Sequence, residues 1–127
     1  MAKRFTANDK WEDEWFRQLP SREKLFWVFI LDRCDIAGAW KIDYGLASFY
    51  IGEPIDKSIL KSFAGRIEPL NGTKLWIIRY VEFQYTMLRE ECTMHKAVIK
   101  LLASYGLLDR VMSRMIPGYP EKHRKSG

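Results

Sequence analysis

Apolar residues recur at helical spacing in some stretches of this 127-residue chain and alternate or cluster in others, and the sequence of these patterns predicts its elements. Trp11, Trp15, Phe16 and Leu19 share one helical face behind the acids Glu12, Asp13 and Glu14, so a first helix is expected from Asn8 or Asp9 to Leu19. The acids suit the positive end of a helix dipole, and Pro20 is the stop. Ser21 then caps a second helix running to Asp32 or Arg33. Its apolar run "LFWVFIL" would also fit a buried strand, but the flanks "SREK" and "DRCD" favour a helix buried on most sides.

"AGAWKI", residues 37–42, reads as a turn at Gly38 followed by a short strand. Asp43 caps a third helix, "YGLASFY", closed by Gly52 and Pro54, and Asp56 caps a fourth reaching Gly65 or Arg66. "RIEPL", an Asn71-Gly72 corner and "TKLWIIRYV" form a hairpin, Asn-Gly being a strong hairpin signal. Pro69 has no N–H to give a ladder, so its strand belongs at an edge. "EFQYTMLREE" is ambiguous between the two periods. Thr93 caps a last helix whose stripe is Met94, Ala97, Val98, Leu101, Leu102 and Tyr105, with Gly106 and Leu107 in the places of a Schellman stop. The remainder begins as a short helix and passes into a basic, flexible tail, residues 120–127. The expected fold class is mainly α with a small β-hairpin (α+β): a winged helix-turn-helix with extra N- and C-terminal helices, one domain over residues 1–119.

Charge sharpens this picture. The net value is +5, from 21 basic and 16 acidic residues. Residues 1–35 and 36–92 each balance seven against seven, so the excess lies in the C-terminal third. Within the neutral middle, however, the stretch from Lys57 to Arg79 holds Lys57, Lys61, Arg66, Lys74 and Arg79 against Glu68 alone. On an α-helical wheel Ile59, Leu60, Phe63, Ala64 and Ile67 fall on one side, and Lys57, Ser58, Lys61, Ser62, Gly65 and Arg66 on the other, with Asp56 projecting away at the cap. Such an arc suits a phosphate backbone: lysine offers a mobile point charge, arginine a two-donor fork, serine a small hydroxyl. The candidate DNA-binding residues are Lys57, Ser58, Lys61, Ser62 and Arg66, with Asn71, Thr73 and Lys74 on the wing and Lys122, Arg124 and Lys125 of the tail as nonspecific anchors. Five phosphate contacts would give a salt slope of about −4 to −5. The bland alternative is a solvated face.

Other chemistry finds little footing. Cys34 and Cys92 make no disulfide framework, and Cys92 with His95 lacks the partner pair of a zinc site. The acids Glu12–Glu14 and Glu90–Glu91 lie where helix starts favour them. There is no glycine-rich phosphate loop and no nucleophile elbow, so no catalytic residue, metal or cofactor is expected and the chain reads as a non-enzyme. The tryptophans read as core rather than as stacking platforms. The longest apolar run, seven residues, is too short for a membrane span, and the N-terminus lacks a signal-peptide core, so a cytoplasmic protein is expected.

Three stretches, "AKRFTANDKWEDEWFRQLP", "KLFWVFILDRCDIAGAWKIDYGLASFYIGEPI" and "WIIRYVEFQY", resemble the N-terminal region of phage and prophage replication-initiation proteins of the replisome-organiser type. The resemblance spans residues 3–119 and rests on "LDRCDIAGAW", "ASFYIG" and "EFQY" in combination. It implies a winged-helix domain on double-stranded DNA at a replication origin, in a bacterial or phage-infected host cell, with a helicase loader or helicase as a further partner. Those proteins commonly continue through a charged linker into a second domain, whereas this chain ends at "EKHRKSG". A monomer or weak homodimer is expected. The competing reading is a protein-protein adaptor or a transcriptional regulator of winged-helix type, using the apolar stripe of the Thr93 helix.

Overall fold

The computed structural model describes residues 13–85, 88 and 92–115. The fold is mostly helical around a small antiparallel sheet, in the order α1 (Glu14–Arg17), α2 (Ser21–Arg33), β1 (Ala39–Lys41), α3 (Tyr44–Ile51), a 3-10 helix (Lys57–Phe63), β2 (Ile67–Leu70), β3 (Lys74–Ile77), α4 (Tyr80–Tyr85), α5 (Thr93–Ser104) and α6 (Leu108–Met115).

The sheet order β1-β3-β2 leaves β2 at an edge, where Pro69 costs no ladder bond. Registers Trp40↔Leu75 and Ala39↔Trp76 put alternate residues on opposite faces, and the two faces serve two separate cores. Trp40, Leu75, Ile67 and Ile77 meet Phe16, Phe26, Ile30, Ile59 and Phe63 from α1, α2 and the 3-10 helix. Ala39, Leu70 and Trp76 meet Val81, Val98, Leu102, Leu107 and Val111 from α4 to α6. The expectation that the tryptophans are core thus holds for Trp40 and Trp76, which are buried, and in part for the half-buried Trp15 and Trp27; Trp11 lies outside the described residues.

Several boundaries differ from the sequence expectation, each for a local reason. Asp13 is the cap of α1, its Oδ1 accepting from the Trp15 N–H at 2.8 Å, and this helix ends at Arg17 rather than Leu19; residues 8–12 of the expected helix lie outside the described residues. Pro20, expected as a stop, is the N-cap position of α2 and Ser21 its first helical residue, with no side-chain cap bond. Proline tolerates this place because the N–H it lacks would have no partner there. Thr93 is likewise the first residue of α5, behind Cys92. The second hairpin strand stops at Ile77 rather than Val81: beyond Ile77 the partner strand has turned away at Gly38, and Tyr80 and Val81 go into α4, one to each core.

One helix start and two stops form as their residues require. Asp43 Oδ1 accepts from the Leu46 N–H at 2.9 Å, and Gly52 closes α3 at φ 87°. After α5, Gly106 at φ 73° lets Leu107 N–H reach the Leu102 carbonyl and Gly106 N–H the Ala103 carbonyl, the paired bonds of a Schellman stop. The middle of the α5 stripe, Val98 and Leu102, is buried within the chain, while Met94 and Ala97 stay exposed. The tail residues 120–127 lie outside the described residues.

Candidate nucleic-acid interface

The segment expected to be a regular fourth helix is a 3-10 helix from Lys57 to Phe63, and this changes which side chains share a face. At three residues per turn, positions three apart eclipse one another. Ser58, Lys61 and Ala64 therefore stand in one outward column, and all three are exposed; Lys57 is exposed at the start. Ile59 and Phe63 fill the opposite side and are buried. Two serines and a span of only seven residues disfavour an α-helix here, since serine hydroxyls compete for backbone groups.

Ser58 shows that competition directly. Its N–H (2.9 Å) and its hydroxyl both donate to Asp56 Oδ1. The hydroxyl first, then the N–H, hold the Asp56 carboxyl below its ordinary range. The outer column accordingly has a carboxylate at its first end, which corrects the expectation that Asp56 projects away from it. Ser62 is half-buried, and its carbonyl accepts from the Trp15 indole N–H at 3.3 Å.

Arg66 does not continue the arc. Gly65 takes φ 80°, turning the chain, and the Arg66 guanidinium lies 3.8 Å from the Trp15 ring centre and 3.8 Å from Asp13 Oδ2. Its carbonyl accepts from Ile78 N–H at 3.0 Å, tying this corner to the end of β3.

On the hairpin, Asn71 (φ 44°), Gly72 (φ 78°) and Thr73 form an exposed loop between Leu70 and its partner Lys74, and the Thr73 hydroxyl donates to Asn71 Oδ1 at 2.9 Å. Lys74 turns away from the loop: its Nζ donates to the Tyr105 hydroxyl at 2.9 Å, and that hydroxyl donates to Asp35 Oδ2. The Tyr105 bond is the main cause holding the Lys74 ammonium above its ordinary value; burial first, then the bond to Asp35, raises Tyr105. Lys74 thus ties the sheet to α5. Lys41 was missed by the sequence reading. It pairs with Lys74 across β1 and β3, is exposed, and is followed by Ile42, whose N–H donates to the Thr73 carbonyl at 3.0 Å, so it stands beside the loop. The register of "AWK" against "TKLWI" was the signal that would have found it.

Of the eight candidates, Lys57, Ser58, Lys61, Asn71 and Thr73 are exposed and Ser62, Arg66 and Lys74 half-buried, the charged ends of the last two resting on Trp15 and Tyr105. Among the described residues Lys57 and Lys61 have no ion pair. Glu68, the one acid between them and Arg79, pairs with Arg110 of α6. Lys122, Arg124 and Lys125 lie outside the described residues. Among those residues no group of three metal-ligating side chains comes together, and no helix is long and apolar enough to cross a membrane. Comparison with known proteins gave no matching family model and no significant match to a curated protein or a solved structure.

Proposed function

We propose that this chain is a DNA-binding domain of winged-helix type that acts in phage or prophage replication initiation, without catalysis. Helix α2, strand β1, helix α3, the 3-10 helix and the β2–β3 hairpin follow one another in the order such domains use, and this order is the observation that carries the reading. In this reading the outward column of the 3-10 helix is the recognition surface and the Asn71–Thr73 loop is the wing. Lys57 and Lys61 supply point charges to phosphate, Ser58 a hydroxyl, and Lys41 the wing cation in place of Lys74. The replication role rests on the sequence resemblance alone.

The adaptor reading is less favoured, because α5 buries the middle of its stripe, Val98 and Leu102, against its own sheet and leaves Met94 and Ala97 exposed only toward its start. Titration of labelled mixed-sequence duplex DNA at several salt concentrations tests the proposal. With Lys57, Lys61 and Lys41 as the phosphate contacts, the slope of log affinity against log salt is about −3, from roughly 0.9 per contact. Duplex affinity that is absent at low salt, or that shows no salt slope, removes the DNA reading.

A further inference from the structure

A cavity of about 520 Å³ opens behind the C-terminal end of the 3-10 helix, between α1, α2, the Ala64–Arg66 corner and the β3–α4 junction. That volume falls within the range of pockets that hold small ligands, about 300–1,000 Å³. Its walls are largely aromatic among the described residues. Trp15 and Trp27 meet edge to face, ring centres 5.3 Å apart, with Leu31 deeper in and Phe83 58% exposed at the opening. A rigid ring system gains stacking and edge contacts from such walls that a flexible chain does not.

The rim carries the charge. Arg79 lines the cavity, is exposed, and meets no carboxylate among the described residues. Arg66, also on the rim, lies over Trp15 with Asp13 at 3.8 Å, and Asp13 further accepts from the Trp15 N–H. The one rim carboxylate is thus already engaged, and Arg79 is left as an uncompensated fork suited to a carboxylate or sulfonate.

We infer that this cavity binds a small aromatic acid: a planar fused or linked ring system against the wall to which Trp15, Trp27 and Phe83 contribute, its single anionic group on Arg79. The inference does not need the DNA reading: neither Ser58 nor Lys61 lines the cavity, and of the outward column only Ala64 reaches its wall.

Two fluorescent probes of nearly the same shape test it. Anilinonaphthalene sulfonate carries the anion, and N-phenyl-1-naphthylamine does not. The full chain is expected to bind one equivalent of each, saturably, while its thermal unfolding stays cooperative. Arg79→Gln should weaken the sulfonate about tenfold and leave the neutral amine within twofold, the exposed arginine being dispensable for folding. Phe83→Ala should weaken both. Non-saturable binding of either probe, a stoichiometry above one, or sulfonate affinity indifferent to Arg79→Gln overturns the assignment.

Discussion

The Arg66 guanidinium rests 3.8 Å from the centre of the Trp15 ring, so a residue whose spacing marks it for a DNA-facing arc instead closes α1 onto the base of the hairpin. The contact is partly solvent-exposed, with the Arg66 side chain 40% accessible, and its worth is that of a surface cation–π pair, about 0.5–1 kcal/mol. The ion pair to Asp13 adds little at this exposure.

Arg66→Ala is therefore expected to lower stability by about 1 kcal/mol, read as a shift of the urea midpoint at unchanged slope. Lys61→Ala should leave that midpoint within about 0.5 kcal/mol, as for other surface changes away from packed features. Equal destabilisation by the two would mean that the guanidinium contributes nothing through Trp15.

Gly38 carries a sharper constraint. It sits at φ 91°, and a Cβ there would stand 2.5 Å from Tyr80 Cβ and 3.2 Å from the Ile77 carbonyl oxygen. Tyr80 is buried in the first core and cannot move aside. Gly38→Ala should cost about 2–4 kcal/mol through combined backbone strain and overpacking. Gly72→Ala makes the control: its φ is also positive, but no atom lies within 4 Å of the added methyl, so only the strain remains. Denaturant midpoints that fall equally for the two would show that Tyr80 yields.

How far the residues foretold this arrangement depends on whether a feature is local. The caps Asp43 and Asp56, the Gly52 and Gly106–Leu107 stops, the Asn71-Gly72 corner and the edge position of Pro69 follow from side chains acting within a few residues, and these were legible. The 3-10 winding was not, because Ile59 and Phe63 stand four positions apart, the spacing of an α-helix, and nothing else in seven residues argues for the tighter turn. Arg66 and Lys74 show the same limit at the site. Their charge is visible in the sequence, but their partners Trp15 and Tyr105 are 51 and 31 positions away, and nothing in the local pattern names them.

The chain Lys74–Tyr105–Asp35 predicts a pH dependence. Tyr105 and Lys74 are both raised above their ordinary values, so each holds its proton more tightly folded than unfolded. A raised group contributes stability that is full below the unfolded pKa, about 10 for tyrosine and lysine, and is lost as pH rises through the folded value. The urea midpoint should accordingly decline from about pH 10 upward. Tyr105→Phe removes the hydroxyl from both partners; it should cost about 1 kcal/mol near neutrality and make the alkaline decline shallower. An alkaline decline of unchanged steepness in Tyr105→Phe would show that this chain is not its source.

The 3-10 winding itself makes the last prediction, because it divides cations that an α-helical wheel would group together. If Ser58 and Lys61 form one outward column, charge reversal should matter in proportion to position on that column, not to position in the sequence. Lys61→Glu is expected to reduce duplex affinity at least tenfold at low salt and to flatten the salt slope by about one contact, with the urea midpoint unchanged. Lys74→Glu should act differently: it faces Tyr105 and Asp35, so it destabilises the fold and lowers DNA affinity only as far as folded protein is lost. Measuring affinity per folded molecule separates the two. If Lys74→Glu, corrected for unfolding, weakens DNA binding as much as Lys61→Glu, the hairpin ammonium reaches phosphate after all and the column is not the principal contact.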